Sequence, residues 1–494
     1  MKTVIHVTVF RTEVVDPVVR RYSVSRAPRL LSLMAATALP FLAFPATAAE
    51  FVVNTPQDLV NGACTASQCS LRDAILAANA TTGPNTIHLD AHNYGVFIQG
   101  NGKNVGLTGD FDVMGDLTII GAGRDATKLF ISSPSEQIID VATGARLRLE
   151  HLSIGIGIRP GYFGDDDAAT TRLELLDVAA GGNSPSGNTI VANGNPLIDH
   201  SSIQAGGYSN GQTAIIFDGE NLDIANSTVD WAKVGLRITL SGAGGATFTN
   251  SCLTRSDNYR SDPCGTLSIT GTATQNVCVI ASQITNRAAI GAGSCITGIR
   301  NVSIVDSAIT VDGNNYNKAM NIEAHSTSIR NSTIVCRLGI GYGTKYVNQS
   351  TVGSNFYAFD VPPVSIGRSA DSIVVVSNSV LIGECHGAVA SFGNNVESPG
   401  NSCGLRPESS RINQSLASLG LGPLASNTPP GAPTAPVNYL PAPTSVLNRV
   451  FTPEGVARCP ATDQRGYVRA AVCTIGAVET DANEQVLFLN GFDY

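Results

Sequence analysis

Eight short segments of this chain repeat one arrangement: an apolar residue, a polar cluster often centred on Asn, and a second apolar residue, as in "LDIANSTVD", "ATFTNSCLT" and "SIRNSTIV". With the second apolar residue as reference, the copies fall at Ile154, Val178, Ile203, Val229, Leu253, Ile284, Ile309 and Ile334. The spacings are 24, 25, 26, 24, 31, 25 and 25. Five residues before each reference stand Leu149, Leu173, Ile198, Ile224, Phe248, Val279, Ile304 and Ile329, all apolar. On a straight strand an odd separation points two side chains to opposite faces. If the chain turns a corner between them, both enter one core.

The corner falls three residues before the reference, at His151, Leu175, His200, Asn226, Asn250, Ala281, Asp306 and Asn331. Asn recurs there because it tolerates the left-handed region and its amide bonds nearby backbone. Stacked copies would form a polar ladder along the corner. A fixed period with a fixed internal pattern marks a solenoid. Short strands without a helix in each repeat predict an all-β parallel β-helix, one coil per repeat, over about residues 105–395. The frame of leucine-rich repeats is absent, and propeller blades are longer.

The ends of such a solenoid need covering, because open strand edges pair with other chains. Residues 50–104 hold "CSLRDAILAANAT". Here Ser70 is an N-cap, Asp73 completes a capping box, and Ala74, Ile75, Ala77 and Ala78 face inward, so an N-terminal capping helix is expected. Residues 396–480 form a C-terminal segment whose Pro-rich part either wraps the last coil in extended form or serves as a linker. A tail follows over 481–494.

Residues 1–49 read as an export signal with an over-long charged start. Arg20, Arg21, Arg26 and Arg29 precede the apolar run "LLSLMAATALPFLAF", and small residues at Ala46 and Ala48 suit cleavage. The mature chain has no other run of transmembrane length. Its formal net charge of −8 and lack of basic clusters argue against nucleic acid as a partner. Eleven cysteines behind an export signal imply disulfides. Sequence neighbours are the candidate pairs: Cys64 with Cys69, Cys252 with Cys264, Cys278 with Cys295, Cys385 with Cys403, and Cys459 with Cys473, the last stapling the C-terminal cap. Cys336 is left as a buried free thiol.

Two of these segments carry a resemblance. "CSLRDAILAANATTGPNTIHL" resembles the CSLREA-type N-terminal motif of exported bacterial β-helix proteins, with Asp73 where the motif has Glu. "CPATDQRGYVRAAVCTIGAVE" is similar to the C-terminal signature of the choice-of-anchor Q group, whose Pro-rich approach departs from the pattern here over residues 428–450. The resemblance implies a right-handed parallel β-helix, secreted or held at the cell surface. It implies no defined reaction, because the group has no established catalytic residues to carry over.

The candidate chemistry lies on the outer face. Four residues before the reference come Glu150, Glu174 and Asp199 in consecutive coils, with Arg148 and Arg172 two residues earlier on the same face. Carboxylates stacked at about 5 Å could share a proton, hold calcium or flank a glycosidic bond. The preferred reading pairs Arg148 with Glu150 and Arg172 with Glu174 as solvated salt bridges. His151 and His200 sit at the neighbouring corner. Asp165, Asp166 and Asp167 read as a solvated loop, Asp312–Asn317 as turn residues, and Trp231 as core. No cofactor is expected, with calcium the one ion considered. The expected function is non-catalytic: an extended surface for adhesion or glycan contact, with polysaccharide or cell-envelope components as partners. A polysaccharide lyase or glycoside hydrolase on the same fold is the alternative.

Overall fold

The computed structural model describes residues 48–480 except 101–105, 132–137, 156–157, 161–170, 183–188, 206–212, 232–234, 256–265, 287–293, 312–317, 336, 342–343, 349–350, 354–355, 358–373, 383–384, 387–388, 428–436 and 451–458. Asp165–Asp167, Asp312–Asn317, Cys264 and Cys336 therefore lie outside the described residues, as do the side chains of Trp231 and Cys385.

Among the described residues, short strands pair in parallel, each with its counterpart one repeat away, into a single 33-stranded ladder system. The strands form three faces. The leading face, before each corner, includes Asp116–Ile120, Leu197–Asp199 and Asn276–Ile280. The trailing face, after the corner, includes Lys128–Ile131, Ser202–Ala205 and Thr228–Trp231. A third face includes Phe111–Val113, Ile139–Val141 and Ile190–Ala192. Some strands span two faces: Arg146–Ile154 and Arg172–Gly182 run through the corner, and Ile215–Ala225 joins the third face to the next leading strand. The parallel ladder starts at Glu50–Val52, ahead of residue 105. This is a parallel β-helix.

Alternation explains which side chains fill it. In Arg146–Ile154, Leu147 and Leu149 point inward before the corner, and Leu152 and Ile154 after it. Leu149, Ile198, Phe248, Val279, Ile304 and Ile329 are all fully buried, each contributing about 1.5–3 kcal/mol of apolar burial. The corner residues occupy the left-handed region, with φ 54° at His151, 48° at Asn226, 47° at Asn250 and 50° at Asn331. Ala281 holds φ 48° as well, so the corner is imposed by the coil and not by Asn alone.

A buried serine follows the corner in six successive coils, at Ser201, Ser227, Ser251, Ser282, Ser307 and Ser332. The Ser201 N–H donates to Ser227 Oγ at 3.0 Å, Ser227 to Ser251 at 3.2 Å, Ser251 to Ser282 at 3.0 Å, Ser282 to Ser307 at 3.1 Å, and Ser307 to Ser332 at 3.2 Å. Each coil thus satisfies a buried donor of its neighbour, which would cost about 1–3 kcal/mol if left unpaired. The sequence shows this ladder as the Ser of every "NS", "HS", "AS" and "DS" corner pair.

One coil corrects the sequence register. Val178 pairs with Leu152, and Ala180 with Ile154, so the corner residue is Asp177 (φ 54°) and not Leu175. The slip is two residues, which leaves every side chain on its own face. Hydrophobic alternation cannot detect it, since Leu173, Leu175, Val178 and Ala180 all point inward.

At the start, helix α1 (Leu71–Asn79) carries the capping box: the Asp73 N–H donates to Ser70 Oγ at 3.0 Å, and the Ser70 N–H donates to Asp73 Oδ2 at 3.4 Å. Its Asn79 amide donates to the Asp112 carbonyl at 2.7 Å, and the Asn85 amide donates to the Ala78 carbonyl at 3.0 Å, which fixes the helix against the first strands. Within α1 Arg72 is fully buried and Ala77 only half so.

At the other end, Leu419, Leu447, Val450, Cys473 and Ile475 form a second small core with Val380 and Val396. The segment also reaches back along the corner. Gln464 donates to the Ser307 carbonyl at 3.0 Å and accepts from Thr333 at 2.7 Å, while Asn331 donates to the Thr462 carbonyl at 3.0 Å. It therefore docks on the wall of the solenoid as well as near its last strands.

Disulfides join Cys64 to Cys69 and Cys459 to Cys473. Cys252 and Cys278 are free thiols, which overturns their pairing with Cys264 and Cys295. Cys278 lies on the leading face and Cys295 on the third, so their side chains diverge. Cys295 and Cys403 are each disulfide-bonded, to partners whose side chains fall outside the described residues. Among the described residues, no helix is long and apolar enough to cross a membrane.

Candidate functional site

The corrected register rearranges the outer-face charges. Glu174 stacks on Arg148, not on Glu150, and is followed by Leu197 in the next coil. Glu150 stacks on Leu176, which in turn stacks on Asp199. The expected column of three carboxylates does not form.

Glu174 instead sits in a ring of guanidinium groups. Arg146 donates through Nε at 3.2 Å and Nη2 at 2.8 Å, Arg172 Nε lies at 2.5 Å, and Arg148 Nη1 at 3.3 Å. Arg148 also pairs with Glu150, and Arg146 with Asp116 at 3.5 Å. The Glu174 side chain is only 3% exposed beneath them. Burial pushes its carboxyl up, but hydrogen bonds from Arg146 and the charges of all three arginines leave it below the ordinary carboxylate value. In turn, the hydrogen bond to Glu174 raises Arg146. A carboxylate held ionised by three cations is a poor general acid and offers no lone pair toward solvent for a metal.

The corner beside this ring continues the charge chain. His151 Nδ1 lies 2.8 Å from Asp177, which Arg124 meets at 2.5 Å. Arg124 also donates to the His200 carbonyl at 2.9 Å, His200 Nδ1 lies 2.9 Å from Asp199, and Asp199 accepts from Asn226 at 2.9 Å. Burial pushes the Asp177 carboxyl up, yet His151 and Arg124 together hold it below its ordinary value. Arg124 reaches from its own coil to those of Asp177 and His200, and sequence spacing gave no sign of it because its turn belongs to no repeat position.

The trailing face holds an open groove of about 420 Å³ over four coils. Lys128, Ser153, Ala179 and Ser202 form one row of its floor, in register coil to coil, and Gly181 with Gln204 belong to a second. Arg124 and Asp125 form a wall. Gly181 permits the close floor: a Cβ there would meet the Gln204 carbonyl oxygen at 2.5 Å. The Lys128 side chain is exposed, and among the described residues it makes no ion pair. The groove thus offers Lys128 and the Ser153 hydroxyl one strand spacing apart, about 4.8 Å, with the Ser202 hydroxyl and the Gln204 amide two coils further on.

Elsewhere, Asp110, Asp112 and Asp140 bring carboxylate oxygens within 4.8 Å of one another on the third face. The sequence carries a sign of this that spacing from the corner missed: "FDV" and "IDV" both place Asp outward between two core residues, one repeat apart.

No family model matches the chain, and no curated protein matches it. The crystal structure of pectate lyase Pel9A is similar at a TM-score of 0.36 and 13% identity, covering 88% of this chain and 96% of that chain. At that score the likeness carries no argument, and the fold rests on the strand register above.

Proposed function

We propose that the chain is an exported β-helix protein of the CSLREA and choice-of-anchor type, and that its trailing-face groove binds an extended polysaccharide without cleaving it. The observation that carries this reading is the contrast on one wall of the solenoid. Glu150 and Glu174 are paired with arginines, while the adjoining groove keeps Lys128 uncommitted above a floor of hydroxyl and amide groups. A polymer lying along the solenoid axis would meet Lys128, Ser153, Ala179 and Ser202 in successive coils, with Gln204 beside Ser202 and Lys128 taking an anionic substituent. The Cys64–Cys69 and Cys459–Cys473 disulfides support an oxidising destination. The capping box and the stapled terminal segment support the resemblance to surface-attached proteins.

Binding of the purified protein to a panel of neutral and uronate-rich polysaccharides tests the proposal. An anionic polymer should bind, and Lys128→Glu should weaken it about tenfold, equivalent to about 1.4 kcal/mol. Absence of binding across the panel sinks it. Release of unsaturated or reducing ends would replace it with the lyase or hydrolase alternative.

A further inference from the structure

We infer that Asp110, Asp112 and Asp140 bind a divalent, oxygen-preferring cation of the calcium class, which ties the strand Phe111–Val113 to its neighbour Ile139–Val141 beneath α1. The site owes nothing to the groove, and stands or falls independently of it.

Asp112 and Asp140 are register partners on adjacent strands, Phe111–Val113 and Ile139–Val141, and both point away from the core. Yet they are only 1% and 5% exposed, while Asp110 is half-buried beside them. Their carboxylate oxygens lie within 4.8 Å of one another. That separation is about twice a Ca–O bond of roughly 2.4 Å, so one ion can touch all three.

A second observation makes this more than an acidic cluster. Asp112 Oδ2 is buried and has no hydrogen-bond partner, although the Asp112 carboxyl does accept from the Gly106 backbone. Buried carboxylate oxygens are ordinarily satisfied, so this one points to an absent ligand.

Among the described residues, the cation that acts on Asp112 is Arg72, and it cannot fill that role. Arg72 gives Nε and Nη2 to Asp58 at 2.6 and 3.1 Å. Its remaining contacts are the carbonyls of Gly106 at 2.7 Å, Gly109 at 2.7 Å and Asp110 at 3.3 Å. All five guanidinium N–H groups are thus committed. Arg159 follows Asp140 in register, with its side chain outside the described residues. If it supplied the missing charge, the site would refuse a cation, and the experiment below reads that outcome.

The same elements show what an ion would hold. Asn79 of α1 bonds the Asp112 carbonyl, and the Met114 N–H returns to the Asn79 side chain at 2.9 Å. An ion bridging Asp112 to Asp140 would couple this helix contact to the next coil. Thermal stability of the whole chain should then rise with calcium.

The test uses the full chain, stripped with chelator and titrated with calcium chloride at neutral pH, by calorimetry and thermal unfolding. One saturable site and a raised melting temperature are expected, with magnesium weaker at equal concentration. Asp112→Asn and Asp110→Asn should each weaken calcium binding tenfold or more. If Asp112→Asn fails to fold, the half-buried Asp110→Asn gives the reading. No response from the parent overturns the assignment and leaves shared protons or Arg159 as the neutralising device. An undiminished response in the variants overturns it too, by placing the ion elsewhere.

Discussion

Glu174 and Asp306 are both carboxylates of the same solenoid wall, and their surroundings drive them in opposite directions. Glu174 lies under Arg146, Arg148 and Arg172 and stays below the ordinary carboxylate range. Asp306 occupies a corner where the C-terminal segment docks, and burial pushes it up to about 6. Its hydrogen bond with Asn331 and the charges of Arg469 and Arg330 pull down, but the nearby Asp463 adds repulsion. The number of guanidinium groups in direct contact decides the sign.

The largest effect separates the two faces of one strand. Leu175, fully buried, is the inward neighbour of Glu174. Leu175→Asp would put a carboxylate where no arginine can reach, and should cost about 4 kcal/mol in denaturant unfolding. A loss below about 1 kcal/mol would mean that the inward face is not a dry core.

Glu174→Gln comes next. It leaves three arginines crowded around a neutral amide, and removing one partner of a buried ion pair costs about 3–5 kcal/mol. Because the arginines are one-third to one-half exposed, solvent screening reduces the expected loss to about 2 kcal/mol. Added salt should shrink it. Unchanged stability would show that the ring is decoration.

The smallest effect is a pH slope. Glu174 has a lowered folded pKa, so its contribution is complete above the unfolded carboxylate value and is lost as pH falls through the lower folded one. Asp306 works the other way. Its folded pKa is about 6, so the folded state holds a proton the unfolded state has released, and stability falls as pH rises from about 4 toward 6. Asp306→Asn should flatten that decline and add about 1 kcal/mol at pH 7, read by urea unfolding across the window. A less stable Asn variant at pH 7 would mean that the Arg469 and Arg330 charges outweigh burial after all.

Much of this fold is legible in the sequence alone. The period near 25 and the apolar pair around each corner follow from local rules, because alternation and left-handed corners depend on a few neighbouring residues. So does the capping box of Ser70 and Asp73. The candidate site was less legible, for a reason that can be named. A two-residue slip conserves the face of every side chain, so the apolar pattern accepted Glu174 beside Glu150 as readily as beside Arg148. Only the stacking of Asp177 on the His151 corner distinguishes them.

By itself, then, the sequence determined the solenoid and which side of each strand faces in, since both are set by nearest-neighbour geometry. Tertiary structure decided what lies beside what across coils. Cys278 does not pair with Cys295 because the two lie on different faces of the solenoid. Asp306 meets Asp463 and Arg469 through a segment more than 150 residues further along the chain, at contacts that no local rule encodes. Asp112 and Asp140 become one cluster only when two coils are laid in register. Charge acts through space at a few ångströms, and the repeat settles direction along the strand long before it settles those distances.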